Sequence, residues 1–177
     1  FEKEAKRILD EVEEECGWMY ETKHSDGSIG KINYTVWSDV FTCPECSKEL
    51  VFWDETVDVE NKCVRDSFSC SGCGVDLTKK RLNRAWISRY DNLLKATTKQ
   101  AKTAPVAINY TVENKKYQKR PDSFDEALLS KIDSLGINDF VPVFKIPKGD
   151  KTSEPHKLGL THLHHIYTKR NLVALSK

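Results

Sequence analysis

The stretches Cys43-Pro-Glu-Cys46 and Cys70-Ser-Gly-Cys73 decide how the middle of this chain folds, and 23 residues separate them. Each Cys-x-x-Cys stretch places two thiolates on one tight turn. Two such turns complete the tetrahedral ligand set of a zinc ribbon. We therefore predict one structural zinc ion with no open coordination position. Its four predicted ligands are Cys43, Cys46, Cys70 and Cys73.

The residues in and beside the two turns favour a metal site. Pro44 fixes φ in the first turn, and Gly72 and Gly74 tolerate positive φ in the second. A pair of disulfides or a redox-active dithiol are the alternatives, but neither needs these turn residues or the hairpin-like stretch between the turns. Cys16 and Cys63 stand alone in the sequence, and we predict that they are not ligands.

The patterns around the cysteines predict an α+β fold, in which a small antiparallel zinc ribbon is flanked by helices at the N- and C-terminal ends. Residues 2–16 have the apolar spacing of a helix, and Asp122 with Ser123 can cap another. The apolar stripe predicted on the first helix consists of Ala5, Ile8, Leu9 and Val12. The predicted segments are an N-terminal helix and connecting segment (1–30), the zinc ribbon (31–86), a basic linker (87–121) and a C-terminal helical segment (122–177).

Charge is distributed unevenly, although the net charge is only +1. Residues 39–60 carry seven acids and one lysine, whereas residues 79–120 carry twelve lysines and arginines and two acids. This asymmetry indicates contact with a polyanion. A solvated, partly disordered linker explains the basic stretch equally well.

The sequence also bears on location. No window approaches the run of about 18 apolar residues that a membrane span needs, and residues 1–16 lack the apolar core of a secretory signal. We expect no membrane contact. Cysteines in metal-type spacing indicate a reducing compartment, hence the cytoplasm. The chain opens within a helical pattern and without an initiator methionine, so we expect it to be a piece of a longer protein.

Three longer strings carry a family resemblance. They are Trp18-Met-Tyr-Glu-Thr-Lys-His-Ser-Asp-Gly27, Gly30-Lys-Ile-Asn-Tyr-Thr-Val-Trp-Ser-Asp-Val-Phe-Thr-Cys-Pro-Glu-Cys46 and Lys157-Leu-Gly-Leu-Thr-His-Leu-His-His-Ile-Tyr-Thr-Lys-Arg-Asn-Leu172. Together they resemble a group of prokaryotic DNA methyltransferases that methylate the exocyclic amine of adenine. In that group a zinc-ribbon segment lies in the middle of the enzyme, after the catalytic Asp/Ser-Pro-Pro-Tyr motif. The resemblance extends from about residue 5 to residue 176.

The resemblance implies a DNA-binding, target-recognition insert without catalytic residues of its own. The chain has no adjacent prolines, and outside the second cysteine turn it has no Gly-x-Gly. It therefore lacks both the motif that holds a flipped base and a glycine loop for S-adenosylmethionine. We expect that cofactor only in the parent enzyme, whose catalytic domain is an expected partner alongside DNA. Because fold-level analogy does not establish function, the DNA role needs evidence of its own.

Basic residues after the second cysteine turn and near the C-terminus are the candidates for phosphate contacts. They are Lys79, Lys80, Arg81, Arg84, Arg89, Lys169 and Arg170. The last two have an alternative role, as a cap on the final helix or as a contact with the catalytic domain. Trp86 and Tyr90 either stack on an extruded base or belong to the core.

Two other functions compete with DNA recognition. His162, His164 and His165, followed by Asn171, superficially resemble an HNH nuclease, but only six residues follow the asparagine. Ordinary structural roles explain the histidines as well. The other alternative is a zinc ribbon that binds protein or is purely structural, because many small metal modules only stabilise a region with little core.

Overall fold

A computed structural model describes residues 1–59 and 61–177 and has the predicted α+β class, with helices and antiparallel strands. The α-helices of the described residues are α1 Glu2–Cys16, α2 Phe52–Thr56, α3 Ser123–Asp133, α4 Ser153–Lys157 and α5 Lys169–Leu175. The strands are β1 Glu21–Lys23, β2 Ile29–Thr42, β3 Glu49–Val51, β4 Val57–Asp58, β5 Cys63–Val64, β6 Ser67–Ser69, β7 Asp76–Thr78, β8 Asn83–Arg84, β9 Trp86–Asp91, β10 Ala96–Ala101, β11 Thr103–Val112 and β12 Lys115–Lys119. In the described part of the chain, no helix combines the length and apolar character that a bilayer crossing requires.

The chain forms two compact units, each assembled from stretches that are distant in sequence. The terminal unit comprises residues 1–35, 107–156 and 160–177, and the ribbon unit comprises 36–106 and 157–159. The range 87–121, predicted as a basic linker from its composition, contains most of β9 and the whole of β10, β11 and β12. Its lysines and arginines are interspersed with strand-favouring residues, including the run 103–112 without a basic residue, and a composition count does not detect that order.

The sheet of the terminal unit has the strand order β1-β2-β11-β12, to which β2 and β11 contribute the residues that belong to this unit. Ile32, Ile108 and Tyr110 form its buried cluster. At Gly30 an added Cβ would lie 2.6 Å from Cδ2 of Tyr110. The close approach of β2 to β11 therefore requires glycine at this position.

The helices of the terminal unit pack through a second cluster, formed by Cys16, Met19, Ile132 and Val173. The predicted cap of α3 is confirmed, because the Asp122 side chain accepts the amide hydrogens of Phe124 and Asp125 in a capping box.

The apolar stripe predicted on helix α1 is partly exposed. Ile8 is 44% exposed and Leu9 is 68% exposed, and only the last turn of the helix, at Cys16, is buried. Ion pairs from Arg7 to Glu4 and Glu11 accompany the exposed turns. Pairs at this spacing support a helix without tertiary packing.

In the ribbon unit, the end of β2 pairs with β3 and β8, and the hairpins β4–β5, β6–β7 and β9–β10 complete the unit. The core cluster consists of Leu50, Phe68 and Leu77 together with two cysteines, Cys43 and Cys70. Two of the five buried members of this cluster are therefore candidate metal ligands.

Candidate metal centre

The two cysteine turns have the same backbone hydrogen bonds. In the first turn, the amide of Cys43 donates to the Lys48 carbonyl and the Ser47 amide donates to the Cys43 carbonyl, both at 2.9 Å. The second turn repeats these bonds from Cys70, at 2.8 Å each and with the same sequence offsets, so that Gly74 is the counterpart of Ser47. The two cysteine turns are thus structurally equivalent, although they are separate in the sequence.

The counterpart residues also share a left-handed backbone. Ser47 has φ 59° and Gly74 has φ 75°. Glycine adopts this conformation without steric cost, whereas a residue with a Cβ is disfavoured there by about 1–2 kcal/mol. The second turn therefore has the more suitable residue, and the first adopts the same geometry with a serine.

The four thiols converge. The Sγ atoms of Cys43 and Cys73 are 3.8 Å apart, and those of Cys46 and Cys70 are 3.7 Å apart. All four sulfur atoms lie within 4.8 Å of one another. A disulfide needs a separation of about 2.05 Å, and the four cysteines are free thiols. The arrangement is compatible with a metal site rather than with paired disulfides.

The pKa values of two of the thiols, Cys70 and Cys73, indicate whether all four can be deprotonated together. The amides of Gly72 and Cys73 donate to the sulfur of Cys70 and lower its pKa to about 7; the Gly72 nitrogen lies 3.3 Å from the sulfur. The Val75 amide lowers the pKa of Cys73, but desolvation and the neighbouring thiols outweigh it and raise that pKa to about 12. Four thiolates together therefore need a cation to balance their charge.

The two turns also contact each other directly. The Lys48 ammonium donates to the Ser71 carbonyl at 3.1 Å. A Cβ added at Gly72 would lie 2.8 Å from Cδ of Lys48 and 3.1 Å from Sγ of Cys46. Lys48 is thus part of the site, although its sequence context did not mark it as a site residue. Its position two residues after the first turn was the only signal available.

The basic residues that follow the second cysteine turn lie in an exposed turn of their own. Residues 79–81 form a 3₁₀ turn directly after β7, and all three side chains are exposed. The Lys79 ammonium lies 4.9 Å from the centre of the Phe52 ring. Arg81 forms an exposed ion pair of 3.5 Å with Glu45. Exposed pairs of this kind contribute little stability, so they can be exchanged for another anion.

The next two predicted contacts have different surroundings. Arg84 forms two hydrogen bonds to the carboxylate of Asp39, at 2.7 and 3.2 Å, and its guanidinium lies 5.1 Å from the Phe41 ring centre. This arginine is therefore already paired within the ribbon unit. Arg89 is exposed on β9.

Arg170 does not fit a phosphate contact. It is 7% exposed, and its guanidinium donates to the Met19 carbonyl at 3.0 Å and to Oγ1 of Thr35 at 3.2 Å. Desolvation lowers its pKa. Because the guanidinium is buried and bonded within the terminal unit, we remove Arg170 from the candidate phosphate contacts. Lys169, at the first position of α5, is half-buried.

The three histidines lie together in the terminal unit. The ring centres of His164 and His165 are 4.3 Å apart, and that of His162 lies within 5.8 Å of both. The Thr161 amide donates to Nδ1 of His165 at 3.3 Å, and the Thr161 hydroxyl bonds Nδ1 of His162 at 2.9 Å. For His162 and His165, these hydrogen bonds are of the ordinary structural kind that the sequence left open.

Trp86 and Tyr90 are not core residues. Trp86 is 41% exposed and Tyr90 is 62% exposed. Of the two alternatives raised by the sequence, burial in the core is therefore wrong for both rings.

Comparisons of the chain with protein-family models, with curated proteins and with solved structures found no match.

Proposed function

We propose that this chain binds DNA through a zinc ribbon and acts as the target-recognition insert of an adenine-specific DNA methyltransferase. Zinc is structural in this proposal, and its ligands are the thiolates of the two cysteine turns. The observation that carries the proposal is the convergence of four thiols within 4.8 Å beside an exposed basic turn at residues 79–81.

The sulfur separations support zinc. With Zn–S distances of about 2.3 Å, the edge of a regular tetrahedron of sulfur atoms is about 3.8 Å. Two of the six sulfur–sulfur separations, at 3.7 and 3.8 Å, agree with that edge. Tetrahedral sites with four thiolates select zinc or iron, and a closed set of four leaves no position for a substrate. The metal would therefore stabilise the ribbon and take no part in a reaction.

The basic turn supports the DNA part of the proposal. Lys79 and Lys80 are exposed and directly follow β7, a strand whose partner β6 leads into the second cysteine turn. A rigid metal module would hold these ammonium groups on one surface. Each ammonium that neutralises a phosphate releases a counterion, which drives binding and makes it depend on salt.

Catalysis lies outside this chain in the proposal. The sequence contains neither of the methyltransferase motifs, so the parent enzyme would supply S-adenosylmethionine binding, base binding and methyl transfer. The parent's catalytic domain would then be a partner of this segment. A reducing compartment, the cytoplasm, suits a cluster of thiolates.

A second candidate function is protein binding by the same ribbon. Val59 and Val64, on and beside the β4–β5 hairpin, are 65% and 62% exposed. Exposed apolar residues of this kind can dock onto another protein. This candidate keeps the zinc site and predicts no affinity for DNA.

The test combines zinc content with binding of a labelled DNA duplex at several salt concentrations. We expect one zinc per chain and an affinity that falls steeply as salt rises. Reversing Lys79 and Lys80 to glutamate should lower the slope of log affinity against log salt by up to about 1.8, since each lost phosphate contact contributes about 0.9. Reversing Lys115 and Lys116, two exposed lysines on β12, is the matched control for net charge.

The outcomes separate the candidates. One zinc, salt-dependent binding and a larger loss in the Lys79/Lys80 variant support the proposal. One zinc without DNA binding would overturn the DNA role and leave protein docking. Equal losses of DNA affinity in the two charge variants would show that the basic turn is not a specific DNA contact. Absence of zinc from the purified chain would show that the four thiols do not bind it.

A further inference from the structure

The β9–β10 hairpin of the ribbon unit has an exposed face that the zinc site does not use. Residues alternate between the two faces of a strand, so Trp86, Ser88 and Tyr90 share one face of β9. The register places Lys99 directly opposite Ser88, on the same face and between the two rings. The Lys99 ammonium lies 5.4 Å from the centre of the Trp86 ring.

The residues across from the aromatic rings are small. Ala101 pairs with Trp86, and Thr97 pairs with Tyr90. No large side chain on the partner strand therefore lies directly opposite either ring, which agrees with their exposure of 41% and 62%. The hairpin therefore presents two exposed aromatic rings on one face.

We propose that this face binds unpaired bases of single-stranded DNA, with Trp86 and Tyr90 as stacking surfaces and Lys99 as the phosphate contact between them. This inference rests on the proposed DNA-binding function and deepens it by adding a site for unpaired DNA to the duplex contact of the basic turn. Aromatic rings interleaved with cations are the combination that binds single strands, because every base has a π-face and every nucleotide has a phosphate.

The spacing of the rings agrees with a strand rather than a single base. Trp86 and Tyr90 are four residues apart in β9, and a strand rises about 3.3 Å per residue, so their Cα atoms are about 13 Å apart. Side chains on one face of a strand stand roughly perpendicular to the sheet, so this Cα spacing suits separate nucleotides better than one shared base. The two rings bind separate nucleotides of one strand, and Lys99 lies between them.

Charge favours a nucleic acid over an apolar protein surface as the occupant. Among the six paired residues of β9 and β10 that share this face, Lys99 is the one charged side chain. Arg89 and Asp91 lie on the opposite face of β9. An apolar partner would leave the Lys99 ammonium desolvated and without an anion, which is costly. A polyanion with flat apolar bases satisfies both the rings and the cation.

The test compares an oligothymidine with an abasic oligonucleotide of equal length in the zinc-loaded chain. Both ligands have the same phosphates, but only the first has bases. We expect the oligothymidine to bind more tightly and to quench tryptophan fluorescence. Trp86→Ala should weaken oligothymidine binding roughly 5- to 150-fold and leave abasic binding nearly unchanged. The matched control is Trp37→Ala, since Trp37 is a second exposed tryptophan of the ribbon unit, outside the hairpin.

Each outcome decides something. Loss of oligothymidine affinity in Trp86→Ala but not in Trp37→Ala supports the stacking face. Equal affinity of the wild-type chain for both oligonucleotides would overturn it, and salt-dependent duplex binding in the same preparation would show that the proposed DNA function survives. Failure to bind any DNA would reject both. A Tyr90→Ala variant repeats the test should Trp86→Ala fail to fold.

Discussion

The paired cysteine turns allow a prediction in which equivalent positions of the two turns are changed in opposite directions. One loses its glycine and the other gains one. Gly74 and Ser47 occupy equivalent left-handed positions, and a Cβ added at Gly74 would meet nothing within 4 Å. Gly74→Ala therefore adds a backbone cost without a clash. We expect it to weaken the second turn, and Ser47→Gly to strengthen the first.

The magnitude follows from two opposing effects. The left-handed backbone costs alanine about 1–2 kcal/mol relative to glycine. Alanine also restricts the unfolded chain, which restores about 0.4–1 kcal/mol. The net destabilisation by Gly74→Ala is about 1 kcal/mol, and Ser47→Gly should stabilise by a similar amount for the same reasons in reverse.

Zinc affinity is the appropriate readout because folding of such turns is coupled to metal binding. Competition with a chromophoric chelator at fixed pH should show about a fivefold loss of apparent affinity in Gly74→Ala and a gain of the same order in Ser47→Gly. Unchanged affinity in Gly74→Ala, or weaker binding in Ser47→Gly, would refute the claim that the two turns are structurally equivalent.

Three further predictions concern other parts of the chain. Cys73→Ser should abolish stoichiometric zinc binding, measured by metal analysis, and the cooperative unfolding of residues 31–86, measured by thermal melting. Retained zinc and an unchanged Tm would show that the ligand set is wrong. At Gly159 (φ +77°) an added Cβ would lie 2.1 Å from a main-chain oxygen, whereas at Gly27 (φ +90°) it would meet nothing within 4 Å. Gly159→Ala should therefore lower the free energy of unfolding by about 1–3 kcal/mol more than Gly27→Ala, and equal urea midpoints would contradict this. The hydrogen bond from Lys119 holds the pKa of Asp122 below its ordinary value of 3.8. A lowered carboxyl pKa stabilises the fold at pH values above the unfolded-state pKa, and this stability is lost as pH falls through the folded-state pKa. In an acid-unfolding series, wild type should therefore lose more stability than Asp122→Asn below about pH 4. Parallel curves would exclude this source of stability.

The local parts of the site were predictable because they depend on neighbouring residues. The spacing of Cys43 and Cys46 defines a turn whatever the rest of the chain does, and so does the Asp122 cap of α3. The boundaries of α1 likewise follow from its own periodicity and agree with the structure at Glu2–Cys16. Zinc, DNA and the methyltransferase resemblance remain proposals that these local patterns motivate.

Burial was not predictable, because it depends on segments that are far away in sequence. Arg170 looked like a surface cation beside Lys169, but it donates to the carbonyl of Met19, a residue 151 positions earlier. The sequence left Trp86 and Tyr90 open between base stacking and the core, and the structure shows both rings exposed, with small residues opposite them in the register.

The sequence by itself determined two cysteine turns, their matching lengths and the α+β character of the chain, since these are set by local spacing and backbone preference. Only the tertiary structure decided that the four sulfur atoms converge within 4.8 Å, that Arg170 is buried and that the aromatic face of β9 is exposed. The physical reason is that convergence and burial are properties of pairs of distant segments, and chain connectivity alone does not specify which segments meet.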